Sequence, residues 1–218
     1  MTDLTPLCRL VILISGRGSN MQAIVSMIEE QGLPAQVCAV ISNQIDAEGV
    51  NWAKERGLTT ACISHRDFAT RADFDQALLQ EIDNYQPDYV LLAGFMRVLS
   101  PFFVEHYHGR LINIHPSLLP SFPGLRTHEQ ALQAGVQCHG STVHFVTPVL
   151  DHGPIVAQSI IPVLASDTPE SLSERVLATE HVVYTAAVRW LIQGQVHLDA
   201  QGKVQVKDLE QRSFYFHA

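Results

Sequence analysis

The sequence predicts an α/β chain, a single doubly wound and mostly parallel twisted sheet that closes with a C-terminal hairpin. Three observations predict it. Apolar runs of strand length recur with helix-like segments between them, as in a parallel sheet covered on both faces. The stretch "VILISGRGSNMQAI" is strand, glycine turn, then helix. No repeat, low-complexity tract, charge run or linker divides the chain, so its 218 residues read as one domain with a substantial core.

In chain order the strands fall near 9–14, 36–41, 58–63, 88–92, 110–114, 141–146 and 155–161. The helices fall near 19–30, 46–56, 70–85, 101–107, 126–134 and 168–193. The last helix is the longest and opens at "SDTPESLSE". There Asp167 or Thr168 can cap it, Pro169 suits its first turn, and carboxylates face the positive end of its dipole. After it, "QVHLDAQGKVQV" reads as two short strands joined at Gln201-Gly202, and the final residues read as a loose tail.

Composition narrows the function classes. With 46% hydrophobic and 17% charged residues and a formal charge of −8, the chain has no clustered basic surface for a polyanion. It reads as a protein for small molecules, with no nucleic-acid partner. Cys8, Cys38, Cys62 and Cys138 are far apart, form no CxxC pair and read as ordinary buried thiols. The N-terminus lacks a basic region before its short apolar run, and no stretch reaches the roughly 20 apolar residues of a membrane span. The expected setting is the cytoplasm, with no membrane partner.

In the first βα turn, Gly16 and Gly18 free the backbone to approach a phosphate, and Ser19 and Asn20 add polar contacts. A dinucleotide fingerprint would need a third glycine where Met21 stands, and an acidic residue where the second strand ends Ile41-Ser42-Asn43. The turn therefore points to a mononucleotide or sugar phosphate over NAD. The same residues also make a turn capped by Ser19 or Asn20 with no ligand at all.

The stretch "GRLINIHPSLLPSFPG" sends a hydrophobic strand into Asn113-Ile114-His115-Pro116 and then into a proline-rich loop. Asn113 and His115 share a face at the strand's end, where open α/β sheets place ligands. Imidazole can take and return a proton or stabilise an oxyanion, and the Asn113 amide can donate to a carbonyl oxygen becoming anionic. A carboxylate would hold His115 protonated longer, and Asp151, in the loop of "HGSTVHFVTPVLDHGPI", is the candidate. No serine or cysteine stands as a nucleophile beside the histidine. The set suits attack by a substrate's own nucleophile on an acyl carbon, without a covalent acyl-enzyme. Singly, each residue also reads as structural: a bonded strand-end histidine, a turn cap, a turn aspartate.

The chain holds 11 histidines, with His106, His108, His115, His139, His144 and His152 close in sequence. His106 and His108 fit a helix C-terminus, and His144 alternates along a strand. No HExxH or Cys/His ligand spacing occurs, so no metal is expected.

Taken together, "LISGRGSN", "LAGFMRVLSPFFVEHYHGRLINIHPSLLPSFPGLRTH" and "HGSTVHFVTPVLDHGPIV" resemble the phosphoribosylglycinamide formyltransferase family, in order and spacing, over most of residues 9 to 190. The resemblance implies a Rossmann-like formyltransferase fold and formyl transfer from 10-formyltetrahydrofolate to the amine of glycinamide ribonucleotide, in purine biosynthesis. It implies that Asn113 and protonated His115 stabilise the oxyanion, that His115 passes a proton to the leaving folate nitrogen, and that Asp151 holds the charge of His115. Gly18, Ser19 and Asn20 would receive the ribonucleotide phosphate, and Glu180 would meet the glycinamide amine. By sequence alone Glu180 is a solvated helix carboxylate. Folate would lie along Met96, Arg97, Val98 and Leu99, with Arg71 near its acidic tail, while Thr147, Pro148, Val149, Leu150 and Asp151 close over the pterin and Asn113 also meets it. Without the resemblance, Met96 and Leu99 read as core packing.

In this reading residues 1–100 form the phosphate-binding half and 101–218 the catalytic and folate-binding half of one formyltransferase domain, a monomer or homodimer without metal. The family commonly has Asp-Gly-Gly-Pro where this chain has Asp151-His152-Gly153-Pro154, and often an acidic residue where Pro148 stands. Methionyl-tRNA formyltransferase and formyltetrahydrofolate deformylase share the triad. They are disfavoured here because the expected added domain, C-terminal and basic or N-terminal and regulatory, is missing from the sequence. Loss of Asn113, His115 or Asp151 would favour a catalytically silent module that binds a nucleotide and regulates a partner; all three are present.

Overall fold

The structure, a computed structural model, describes residues 6–217. It forms two compact units, one ending at Ile112 and one beginning at Asn113. The fold class is the predicted one, a mostly parallel sheet with helices.

The first unit alternates strand and helix: β1 (Cys8–Ile14), α1 (Ser19–Gln31), β2 (Ala35–Ser42), α2 (Glu48–Glu55), β3 (Thr60–Cys62), a 3-10 turn (His65–Asp67), α3 (Arg71–Asp83), β4 (Tyr89–Leu92) and α4 (Pro101–His106). Its strand order is β4-β1-β2-β3, every pair parallel. Leu10 to Ile14 of β1 are wholly buried, as a central strand covered on both faces must be. Gly49 in α2 packs on the first βα turn, its N–H donating to the Gly16 carbonyl at 3.0 Å. A Cβ there would lie 2.9 Å from the Arg17 carbonyl oxygen and 2.8 Å from Ile14 Cδ1, so only glycine allows this approach.

β5 (Leu111–His115) carries the chain into the second unit, followed by α5 (Thr127–Ala134), β6 (Cys138–Phe145), β7 (Ile155–Pro162), α6 (Pro169–Ile192), a β8–β9 hairpin (Val196–Leu198 and Val204–Val206) and β10 (Ser213–Tyr215). The order here is β5-β6-β7-β10. β6 and β7 are antiparallel, with a register shift between Val143 and His144, while β10 joins β7 in parallel. Of the two candidate caps for α6, Thr168 is the one used, in a reciprocal capping box with Ser171.

Two expectations need correction. The tail is not loose: Phe214 stacks on Trp190 at 6.1 Å, Phe216 packs against Ile161, Leu172 and Val176, and Arg212 donates to the Ile155 carbonyl at 2.8 Å. Nor are all four thiols buried: all are free, but Cys62 and Cys138 are exposed. Burial pushes the Cys8 thiol up to about 12, so it is inert as a nucleophile at neutral pH. Among the described residues no helix is long and apolar enough to cross a membrane.

Candidate active site

In the second unit, His115 and Asp151 come together. Nδ1 of His115 lies 3.5 Å from Asp151 Oδ2, both side chains nearly enclosed. On the other side of the ring, Nε2 is 3.0 Å from the Phe122 carbonyl oxygen. A carbonyl only accepts, so Nε2 carries hydrogen and donates. Both ring nitrogens thus face acceptors, an arrangement that accommodates an imidazolium.

The loop that supplies the Phe122 carbonyl is held in place from below. The buried hydroxyl of Thr142 on β6 donates to the Ser117 carbonyl at 2.6 Å and accepts from Leu119 N–H at 3.0 Å. Gln158 of β7 donates to the Leu119 carbonyl at 3.0 Å, and Thr127 to the Pro116 carbonyl at 2.6 Å. These bonds explain the proline-rich stretch: prolines remove donors that no ladder would satisfy, and neighbouring side chains satisfy the carbonyls left behind. Phe122, Arg126 and Asp151 adopt φ of 55°, 55° and 50°, left-handed values that cost a non-glycine residue about 1 kcal/mol or more.

Asp151 is anchored to the same loop, since Gly124 N–H donates to its Oδ2 at 2.8 Å. The following Gly153 is required by contact, because a Cβ there would sit 1.7 Å from the Phe145 carbonyl oxygen. His152 is exposed and donates its N–H to the Val149 carbonyl at 3.3 Å.

Sequence reasoning missed the role of His144. It sits at the β6 bulge, a device that re-aims a side chain. Its Nδ1 lies 2.9 Å from the Phe145 carbonyl and therefore carries hydrogen. Burial lowers its pKa, so the ring is neutral and Nε2 is a bare acceptor. Nε2 receives one amide hydrogen of Asn113, at 3.3 Å. The second Asn113 N–H remains as a directed donor. Asp151 Oδ1 is 3.9 Å from the same Nε2, so Asn113, His144, Asp151 and His115 form one contiguous cluster. Strand alternation alone put His144 on a face; the bulge that turns it has no sequence signal.

A second histidine pair lies in the same unit. His128 Nδ1 is 3.2 Å from His139 Nε2, which two neutral rings can satisfy with one donor and one acceptor. Burial lowers the pKa of both, that of His139 to about 4. Among the described residues no three His, Cys, Asp or Glu side chains are grouped to hold a metal ion.

Glu180 lies on α6 and is only 8% exposed, so the solvated-carboxylate reading of the sequence is corrected. Burial, then the nearby Glu180 charge, raises the Tyr184 phenol one turn along. Thr147 bonds locally to the Val149 carbonyl at 3.1 Å, and Pro148, Val149 and Leu150 are exposed.

In the first unit, Gly18 takes φ of 68° as the N-cap of α1 and no side chain caps that end, so the Ser19 or Asn20 cap anticipated without a ligand does not form. The buried Asn20 and half-buried Ser19 open the helix, whose first N–H groups and positive dipole end suit an anion. In the segment after β4, Leu99 is core as its composition indicated. Met96 is not: it is 79% exposed and Val98 50%, an apolar surface beside the backbone after Gly94 that suits a flat ring. Arg97 stacks its guanidinium over Phe74, 4.7 Å from the centroid, and Arg71 is exposed at the start of α3.

A family model described as Formyl transferase matches residues 8–188. The chain is 47% identical over 189 residues to phosphoribosylglycinamide formyltransferase of Escherichia coli, covering 87% of this chain and 89% of that protein. It resembles the crystal structure of phosphoribosylglycinamide formyltransferase from Anaplasma phagocytophilum with a TM-score of 0.90 and 38% identity, over 97% and 99% of the two chains. A formyltetrahydrofolate deformylase from Pseudomonas syringae is similar at a TM-score of 0.86 and 26% identity, over 95% of this chain and 68% of that one. By the family match, and by relatives alike along most of their length, the chain belongs to the formyl transferase family, among the phosphoribosylglycinamide formyltransferases.

Proposed function

We propose that this protein transfers the formyl group of 10-formyltetrahydrofolate to the amine of glycinamide ribonucleotide, giving formylglycinamide ribonucleotide and tetrahydrofolate in purine biosynthesis. The observation that carries the mechanism is the cluster at the end of β5. His115 is bracketed by Asp151 and the Phe122 carbonyl, and Asn113 is turned by a neutral His144.

The substrate amine attacks the formyl carbon, and the carbonyl oxygen takes up negative charge. Asn113 donates its remaining amide hydrogen to that oxygen, and His115 as imidazolium, its Nε2–H turned from the Phe122 carbonyl to the oxyanion, adds a second donor with charge. Asp151 offsets the imidazolium charge, and His115 passes a proton to the folate nitrogen as the carbon–nitrogen bond breaks. The attacking amine becomes an amide and releases its own proton, which restores His115. No covalent acyl-enzyme is required, because the nucleophile arrives with the substrate.

Gly18, Ser19 and Asn20 receive the ribonucleotide phosphate, and Glu180 meets the glycinamide amine. Met96, Arg97, Val98 and Leu99 hold the folate ring, Arg71 its acidic tail, and Asn113 with Thr147 to Asp151 the pterin. One domain carries both halves of the task, in a cytoplasm that keeps the four cysteines reduced.

The test is absorbance during incubation with 10-formyltetrahydrofolate, with and without glycinamide ribonucleotide. Release of tetrahydrofolate only when the ribonucleotide is present supports the transferase. Equal release without it supports the deformylase chemistry instead.

A further inference from the structure

The second strand ends Ile41-Ser42-Asn43, without the acidic residue an NAD ribose needs. The structure gives Asn43 another role. Its side chain is buried, and its Oδ1 accepts a 2.6 Å hydrogen bond from the hydroxyl of Ser15, the residue before the Gly16-Arg17-Gly18 turn. The same hydroxyl accepts from Met96 N–H at 2.8 Å, and Ser15 N–H donates to the Gly94 carbonyl at 3.2 Å. Residue 15 therefore stitches the start of the phosphate turn to the 94–96 backbone by two hydrogen bonds, and Asn43 fixes the hydroxyl that makes one of them.

Asn43 is itself held. His65 Nδ1 is 3.1 Å from the Asn43 carbonyl, so that nitrogen carries hydrogen and donates. The 3.4 Å approach of Asn43 Nδ2 to the same atom is then a contact between two donors, not a bond. The His65 ring meets Phe74 edge-on at 6.4 Å, and Phe74 carries the Arg97 guanidinium. Both residues of the Met96-Arg97 pair are thus fixed, one by its amide and one by its side chain, from a single group of residues in the first unit.

We propose that Ser15 and Asn43 are positioning residues that join the phosphate turn and the 94–99 segment into one hydrogen-bonded frame, so that ligands on the two strengthen each other's binding. The proposal rests on the assignment above of residues 18–20 to the ribonucleotide phosphate and 96–99 to folate. A phosphate that orders the turn holds Ser15, and a held Ser15 holds the Met96 amide. The second ligand then meets a segment already in place and loses less conformational freedom on binding, and by linkage the effect is mutual.

The experiment is titration calorimetry of glycinamide ribonucleotide, alone and at saturation with a non-transferable analogue of 10-formyltetrahydrofolate. The wild type should bind the ribonucleotide about fivefold or more tighter with the analogue present. Ser15→Ala should bind each ligand alone but show a ratio below about twofold, with faster exchange of the Met96 amide hydrogen. Ser15→Thr, which keeps the hydroxyl, should restore the ratio. Should Ser15→Ala fail to fold, Asn43→Ser decides, since it withdraws the acceptor and should lower the ratio with Ser15 intact. A wild type that binds neither ligand overturns the functional reading. A wild type that binds both without coupling, or a Ser15→Ala or Asn43→Ser variant with coupling unchanged, overturns this proposal alone.

Discussion

Asn113 has two amide hydrogens, and His144 takes one of them, which turns an otherwise rotatable side chain into a directed donor. This division of labour predicts an order of effects in steady-state kinetics. Asn113→Ala should lower kcat by about 10²-fold or more, the cost of a lost oxyanion donor. His144→Ala should lower it by less, with KM for both substrates near the wild-type value, because its one hydrogen bond within the cluster is to Asn113. Equal losses, or a change confined to KM, would contradict the positioning role. His115→Ala and Asp151→Asn should each cost at least about 10²-fold, and near-normal turnover in either would remove it from the mechanism. At this scale the grouping of Asn113, His115 and Asp151 was legible, because Asn113 and His115 share a strand face and Asp151 follows a strand into a loop. His144, Phe122 and Ser15 were not, since their roles come from a bulge, a main-chain carbonyl and a contact between loops far apart in sequence.

Elements decide where these residues stand. β6 supports the loop after His115 largely through one hydroxyl, so Thr142→Val strands the Ser117 carbonyl and the Leu119 N–H in a buried place. At about 1–3 kcal/mol per unsatisfied group, denaturant unfolding should show a loss of about 2–4 kcal/mol. A loss below about 0.5 kcal/mol, the scale of an ordinary surface change, would mean that the loop is held by other contacts. Gly153→Ala forces a Cβ against the Phe145 carbonyl, so the Asp151 loop has to move, and activity should fall more steeply than in His152→Gly. The regular elements were readable to within a few residues from apolar runs, the glycine turn and the Thr168-Pro169 start of α6. The β10 strand was missed although Phe214 and Phe216 alternate in its vicinity, because three residues carry too little pattern to outweigh a polar, terminal setting.

At the scale of the whole molecule, several buried histidines tie stability to pH. His139 has a native pKa of about 4 against about 6.5 in an unfolded chain, so the unfolded state binds the extra proton. The stability it contributes is full above pH about 6.5 and is lost as pH falls toward 4, on the order of 3 kcal/mol in all. Unfolding free energies between pH 7 and 4.5 should decline less steeply in His139→Gln than in the wild type; parallel curves would assign the acid sensitivity elsewhere. The fold class follows from alternation and hydrophobicity, whereas this pH response follows from burial and could not be read from a count of histidines. The measurement that bears most directly on the central claim is mass spectrometry of the product formed from glycinamide ribonucleotide and 10-formyltetrahydrofolate labelled with carbon-13 in the formyl group. Direct transfer puts the label on the ribonucleotide amine, in step with tetrahydrofolate release, and Asp151→Asn should slow both together. Label recovered as formate, or a ribonucleotide left unlabelled while folate is released, would contradict it.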